Sequence, residues 1–165
     1  MNLSLLARKF AFSPLPMARD LYAIPLRLIV GFGFMQHGWA KLARGPDDFI
    51  HILHAMGMPL ATLAGWATII VELLGGLLIM LGAFIPVATV PMAAVLIVAI
   101  VSVHLPNGFS SIKLQSFGPH GAHFGQPGYE TDLLYLAGLA ALCVGGAGFL
   151  SVDGWMRRKL AHRPG

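Results

Sequence analysis

Three ionisable residues lie inside apolar stretches that are long enough to cross a lipid bilayer. Arg27 and His37 lie in the stretch Tyr22–Leu42, and Glu72 lies in the stretch Leu60–Gly82. Inserting a charged side chain at the centre of a helix costs roughly 2.5–3.5 kcal/mol, so such residues mark binding sites, proton relays or buried ion pairs. We therefore take these three as the core of a candidate polar site.

The first stretch carries a regularly spaced set of residues. Arg27, Gly31, Phe34, Gly38 and Lys41 follow one another at steps of 4, 3, 4 and 3 residues. This spacing places them on one face of a helix. The two glycines let a neighbouring helix come close. Lys41 therefore joins the candidate buried polar cluster.

Glu72 needs a partner, because a lone carboxylate deep in lipid would be protonated. Arg27 always carries a charge and can hold a carboxylate with two hydrogen bonds. His37 leans toward Glu72, since helical side chains tilt toward the N-terminus of their helix. We expect Arg27 to be the partner, with His37, water or a bound ligand as the alternatives.

The histidines do not predict a metal or haem site. A haem on His37 would need a second strong ligand, and the sequence offers only His104, near the outer surface. Two further pairs with a spacing of three lie in predicted outside loops: His51 with His54, and His120 with His123. No acid or cysteine completes either pair locally, so we predict solvated histidines there.

Four apolar stretches must position these side chains. They are Tyr22–Leu42, Leu60–Gly82, Phe84–Leu105 and Thr131–Leu150. A bilayer core is crossed by about 20 apolar residues. Only 11% of the chain is charged and 56% is hydrophobic, whereas soluble domains carry about 25% charged residues. The sequence therefore predicts an all-α polytopic membrane protein, a bundle of four transmembrane helices.

Two connections between the apolar stretches differ in composition. Residues 43–59 form a polar stretch that we interpret as a loop. Residues 106–130 are rich in glycine and proline, which predicts a loop or a re-entrant feature. Its apolar anchors, which we expect to hold it against the bundle, are Phe109, Phe117, Phe124 and Tyr129. The outer-loop candidates for capping the polar site are His104, Asn107 and Glu130.

The basic residues indicate topology and not nucleic-acid binding. Three lie in residues 1–20 and four in the C-terminal tail, against Lys41, Arg44 and Lys113 on the other side. The positive-inside rule then puts both termini in the cytoplasm. No basic patch interleaves with stacking aromatics, so we predict no nucleic-acid partner. Cys143 is the only cysteine, which excludes an intramolecular disulfide.

An ordered set of motifs resembles the DoxX family of small four-helix membrane proteins, over residues 21–155. The motifs are Arg27-xxx-Gly31-xx-Phe34-xxx-Gly38-xx-Lys41-Leu42, Glu72-xx-Gly75-Gly76-xxxxx-Gly82, Asn107-Gly108-Phe109, Gly128-Tyr129-Glu130, and Gly146-xxxxxx-Asp153 by way of Ser151. Residues 1–20 would then be a cytoplasmic or interfacial segment, and residues 156–165 a basic cytoplasmic tail.

The resemblance implies a role beside membrane redox enzymes. We expect a subunit of the bacterial inner membrane that serves a quinone-linked oxidoreductase, as an accessory subunit and not a stand-alone enzyme. Quinone is the ligand class that this implies. The expected partners are the lipid bilayer, redox-enzyme subunits or further copies of the chain. The alternatives are a small-solute carrier or channel and a non-catalytic membrane scaffold.

Single cysteines test the predicted topology. In a Cys143→Ala background, we expect an impermeant thiol reagent added to intact cells to label Gln115→Cys but neither Leu5→Cys nor His162→Cys. All three should react once the membrane is permeabilised. Labelling of either terminal position from outside would contradict the prediction.

Overall fold

The computed structural model describes residues 21–119 and 121–161, and it is mostly helical over these ranges, as predicted. The predicted interfacial segment, residues 1–20, lies outside the described residues. The helices are α1 (Ala23–Arg44), α2 (Pro46–Ala55), α3 (Ala61–Leu81), α4 (Ile85–Asn107), α5 (Glu130–Gly145) and α6 (Val152–Ala161), and two antiparallel strands, β1 (Leu114–Gly118) and β2 (Gly121–Phe124), lie between α4 and α5.

Helices α1 and α3 cross at a pair of glycines. A methyl group added to Gly76 would lie 2.6 Å from the carbonyl oxygen of Gly31, and one added to Gly31 would lie 2.5 Å from the carbonyl oxygen of Gly76. The two backbones are therefore in direct contact, as the small residues predicted. The buried face of α1 includes Arg27, Phe34 and Gly38, which confirms the predicted stripe.

This crossing sets the antiparallel register of α1 and α3. Toward one side, the backbone of Gly38 lies against the Cβ of Glu72. Toward the other side, the Arg27 guanidinium lies beside Gly82. Gly82, just after the end of α3, lies ten positions beyond Glu72, which corresponds to about 15 Å along a helix.

The turn between α3 and α4 is held from the end of the chain. Gly82 and Phe84 both adopt left-handed backbone conformations, with φ of 64° and 51°. The Asp153 carboxylate accepts hydrogen bonds from the backbone N–H of Phe84 at 2.7 Å and of Ile85 at 3.1 Å. Asp153 thereby caps the first turn of α4, where backbone donors have no partner within the helix.

The polar loop predicted between the first two stretches is largely a helix, α2. Pro46 occupies its first turn, where a missing N–H costs nothing, and Asp47 and Asp48 follow in the same turn. Carboxylates there are stabilised by the helix dipole. Phe49 and Leu53, four residues apart, give α2 one apolar face.

The long connection after α4, predicted as a loop or a re-entrant feature, contains the β1–β2 hairpin, which was not predicted. The apolar anchors also divide. Phe109, Phe117 and Phe124 are all exposed, but Phe109 packs edge to face on Tyr129 with ring centroids 5.7 Å apart. The residues next to α4 and α5, Phe109 and Tyr129, hold this segment in place, and the phenylalanines of its strands do not.

Two helices within the described residues are long and apolar enough to cross a membrane, α3 and α4. Helix α1 has 22 residues, but Arg27, Gln36 and His37 make it more polar. Helix α5 has only 16 residues and ends five residues before the predicted limit. The count of four spans therefore stays a prediction. The predicted tail boundary at residue 156 falls within α6.

The glycine crossing predicts that Gly76→Ala destabilises the bundle. The added methyl group must push α1 and α3 apart, and overpacking of this kind costs about 1–3 kcal/mol. Thermal unfolding of the purified protein in detergent measures the loss. The control is Gly118→Ala, where an added methyl group meets no atom within 4 Å. Equal stability of the two variants would contradict the close crossing.

Candidate functional site

The buried carboxylate of Glu72 pairs with Lys41. The Lys41 Nζ lies 2.8 Å from both Oε1 and Oε2 of Glu72, and the Glu72 side chain is 7% exposed. Glu72 thus faces the interior and contacts a basic residue of the first helix, as expected. The expected partner was wrong, because neither Arg27 nor His37 bonds to it.

Side-chain direction explains this pairing. Lys41 lies about one turn beyond Gly38, which is level with Glu72. The Lys41 side chain leans back toward the N-terminus of α1, and the Glu72 side chain leans toward the N-terminus of the antiparallel α3. The two therefore converge. The sequence contained this signal in the shared stripe of Gly38 and Lys41. Lys41 was placed in the buried polar cluster, but it was also counted among the topology-setting charges and was not considered as the partner of Glu72.

Arg27 serves a different part of the fold. Its Nη1 donates hydrogen bonds to the carbonyl oxygens of Ala147, at 2.6 Å, and Leu150, at 2.9 Å. Its Nε is buried without a hydrogen-bond partner. A cation just beyond the C-terminus of α5 complements the helix dipole. Arg27 therefore ties α1 to the segment after α5, far from Glu72.

A second polar pair, between His104 and Asp132, was not predicted; it is an ion pair when the His104 ring is protonated. The His104 Nδ1 lies 2.5 Å from Asp132 Oδ2, and Asp132 is buried in the first turn of α5. The sequence prediction started the fourth stretch at Thr131 and assigned no role to Asp132. The sequence did contain a signal for this pair. His104 lies near the end of α4 and Asp132 near the start of α5, so both residues lie at the same end of the bundle.

The other predicted outer-loop residues have local roles. The Asn107 side chain donates to the carbonyl oxygen of Val103 at 3.3 Å, within its own helix end. The Glu130 carboxylate accepts a hydrogen bond from the backbone N–H of Ser111 at 2.9 Å. Glu130 thus fastens the base of the connection before α5. Neither Asn107 nor Glu130 lines the cavity that Glu72 and His104 share.

Both ion pairs involve a residue on a π-helical turn. Glu72 lies in the turn Val71–Gly75 of α3, and His104 lies in the turn Ile100–His104 of α4. A π-turn inserts one extra residue into an α-helix, and such turns occur frequently at functional sites. Each turn changes the direction in which its ionisable side chain projects from an otherwise regular helix.

The two ion pairs line one cavity of about 610 Å³. Lys41 and Glu72 contribute to its wall from one side, and His104 and Asp132 from another. Most of the remaining lining is apolar and comes from all five helices α1–α5, including Phe34, Leu53, Val71, Leu96 and Val103. The volume is within the usual range for a small-molecule site, about 300–1,000 Å³.

His37 and Tyr135 also line the cavity. Their rings approach edge to face with centroids 6.5 Å apart, and Tyr135 packs in the same manner on Phe34 at 5.6 Å. The backbone carbonyl of His37 lies 3.4 Å from the Lys41 Nζ. The predicted cluster is therefore divided: His37, Lys41 and Glu72 share the cavity, and Arg27 does not.

Helix α2 covers the cavity near Lys41. The Lys41 Nζ lies 5.1 Å from the centre of the Phe49 ring, within the range of a cation–π interaction. Among residues 21–119 and 121–161, no group of three or more histidine, cysteine, aspartate or glutamate side chains could hold a metal ion. The polar side chains that line the cavity can form hydrogen bonds and exchange protons in an apolar setting.

Comparisons with known proteins cover most of this site. A family model named DoxX matches residues 23–105, a range that includes His37, Lys41, Glu72 and His104. An uncharacterized membrane protein of Mycobacterium tuberculosis is 33% identical over 148 residues, which span 85% of this chain and 82% of the relative. No solved structure matches the chain.

A double-mutant cycle tests the partner of Glu72. Glu72→Leu leaves the Lys41 ammonium without its carboxylate, and we expect a loss of about 3 kcal/mol. This is the low end for a buried pair, because Lys41 keeps some exposure. Adding Lys41→Met should recover part of the loss, with a coupling energy of about 0.5–3 kcal/mol. Unfolding in detergent with increasing denaturant measures each variant.

The matched control replaces the residue that the sequence favoured. Arg27→Met is itself destabilising, because it removes two hydrogen bonds, but its effect should add to that of Glu72→Leu within about 0.5 kcal/mol. Coupling of Glu72 to Arg27 in place of Lys41 would contradict the observed pairing.

Proposed function

The chain belongs to the DoxX family of membrane proteins, and from that premise we propose that it binds a quinone in its central cavity and serves a quinone-linked redox assembly. The observation that carries the proposal is the placement of two ion pairs, Lys41–Glu72 and His104–Asp132, in the wall of one largely apolar cavity. It would act as an accessory subunit.

The chemistry of a quinone fits this wall. A quinone ring has two carbonyl oxygens that accept hydrogen bonds, and its tail is apolar. Lys41 and His104 are the two potential donors. One of the three Lys41 N–H groups makes only a long contact, 3.4 Å, with the His37 carbonyl. The His104 ring, when it is protonated, has a second N–H at Nε2 beyond the Asp132 bond. Binding by apolar contact plus a few placed polar groups is typical of cofactor sites.

The residues also support proton exchange with such a ligand. Reduction of a quinone to a quinol takes up two electrons and two protons. The electrons would come from an oxidoreductase partner. Asp132 orients the His104 ring through Nδ1, as carboxylates orient catalytic histidines. His104 and the Lys41–Glu72 pair are then the groups in this chain that could give or take the protons.

The topology proposal follows from the basic residues. We propose four spans in the bacterial inner membrane, formed by α1, α3, α4 and α5, with both termini in the cytoplasm. Because His104 lies near the end of α4 and Asp132 near the start of α5, the cavity would lie in the outer half of the bilayer. Residues 21–155 would form the membrane domain.

The packing at the opposite end argues against the channel alternative. Arg27 bonds to the carbonyls of Ala147 and Leu150, and its guanidinium lies against Gly82. A continuous wetted path would have to pass these contacts. Quinone binding needs only a cavity that opens toward the lipid, so it agrees better with this arrangement.

Direct binding tests the proposal. The protein is purified in mild detergent, transferred to lipid nanodiscs and irradiated with an azido-benzoquinone carrying a short alkyl tail. We expect peptides from the cavity wall, near Glu72 and His104, to be labelled, and excess unlabelled quinone to compete. His104→Phe should weaken labelling by about tenfold, the value of one lost hydrogen bond of about 1.4 kcal/mol. Glu72→Gln should also weaken labelling, because it removes the carboxylate that holds the Lys41 donor in the cavity wall.

The matched control is Asp48→Asn, which removes an exposed carboxylate from α2 outside the cavity lining. It should label like the parent protein. Labelling that is spread over the lipid-facing surface, or that is unchanged in the Glu72 and His104 variants, would contradict the proposed site.

A further inference from the structure

The β1–β2 hairpin has one apolar face. Cross-strand pairs place Leu114 opposite Phe124 and Phe117 opposite Ala122. Side chains of directly paired residues lie on the same face of a sheet, and residues two apart on one strand also share a face. Phe124 and Ala122 are two apart, so all four side chains lie together.

The opposite face is polar. Ser116 pairs with His123, one position away from the apolar pairs on β2. Leu114 and Phe117 are three residues apart and would face opposite sides of a regular strand. The bulge between Leu114 and Ser116 adds one residue, Gln115, and so keeps both Leu114 and Phe117 on the side of Phe124. The hairpin is therefore amphipathic, and its bulge makes it so.

The apolar face is uncovered. Phe117 is 81% exposed, Leu114 61% and Phe124 54%. Ile112, two residues before the start of β1, is also largely exposed. Large aromatic and aliphatic side chains side by side at such exposure mark an interaction surface.

The hairpin is fastened close to the ends of two helices. Six residues separate the end of α4 from β1, and five separate β2 from α5. Backbone hydrogen bonds close this base, from Tyr129 N–H to the Gly108 carbonyl at 3.1 Å and from Glu130 N–H to the Phe109 carbonyl at 2.9 Å. The hairpin therefore cannot move far from the level at which α4 and α5 leave the bilayer.

Charge favours a lipid surface as the occupant. Residues 106–129 contain no aspartate or glutamate, and Lys113 adjoins the apolar face. Anionic headgroups attract a basic residue at the membrane surface. Amphipathic elements with aromatic residues bury their apolar side at the boundary between headgroups and acyl chains.

We propose that the β1–β2 hairpin lies on the adjoining membrane leaflet, with Leu114, Phe117, Ala122 and Phe124 inserted at the headgroup–acyl boundary and Lys113 at the anionic headgroups. Ser116 and His123 face the water. The hairpin is thus an interfacial anchor of the chain beside its central cavity, and it holds independently of what the cavity binds.

Fluorescence from single tryptophans tests the anchor. Trp39, Trp66 and Trp155 are replaced by phenylalanine, and the full chain carries either Phe117→Trp or His123→Trp in phosphatidylcholine vesicles, with or without phosphatidylglycerol. Residue 117 should be quenched several-fold more strongly by lipids brominated near the headgroup than residue 123. Aqueous acrylamide should show the reverse order. Phosphatidylglycerol should strengthen the lipid quenching at 117.

Two results would overturn the proposal. Equal acrylamide quenching at both positions would show that the hairpin projects into water. Protection of residue 117 from both quenchers, lost when the protein is diluted with more lipid, would show that a second copy covers the face. If Phe117→Trp fails to give the helical circular dichroism of the parent protein, Leu114→Trp reports on the same face.

Discussion

The backbone contact between Gly31 and Gly76 sets the rest of the bundle. Because no side chain separates the two helices there, their relative position along the axis has little freedom. That register brings Lys41 to Glu72 on one side and carries Arg27 past the end of α3 on the other. The polar site and the packed opposite end are therefore two consequences of one crossing.

The sequence predicted the helices well and the partners of the charged residues poorly. Hydropathy and the stripe from Arg27 to Lys41 depend only on helix periodicity, which is local. The partner of Glu72 depends on which residues of α1 and α3 lie level. The Gly31–Gly76 contact decides which residues lie level. The glycines in the sequence suggested a close approach of the two helices, but not which glycine of α1 meets which glycine of α3. Arg27 was preferred for its chemistry, although about 15 Å of helix separates the two levels.

Other differences arose from elements whose signals are weak. Helix α2 has ten residues and a single apolar face, so composition made it resemble a loop. The π-turns that carry Glu72 and His104 have no reliable sequence signature. Asp132 lay at the edge of an apolar stretch, where an acid is ordinarily taken to face water. Its pairing with His104 depends on α4 and α5 meeting at one end, which only the folded chain displays.

The bonds from Arg27 to Ala147 and Leu150 join residues that are 120 and 123 positions apart in the chain, and this has a consequence for biosynthesis. Helix α1 is made well before the carbonyl groups that satisfy its arginine. Until those groups are made, Arg27 needs water or lipid headgroups as hydrogen-bond partners, because lipid tails solvate it badly. Helix α1 is therefore expected to take its final position only after the segment that follows α5 has been made.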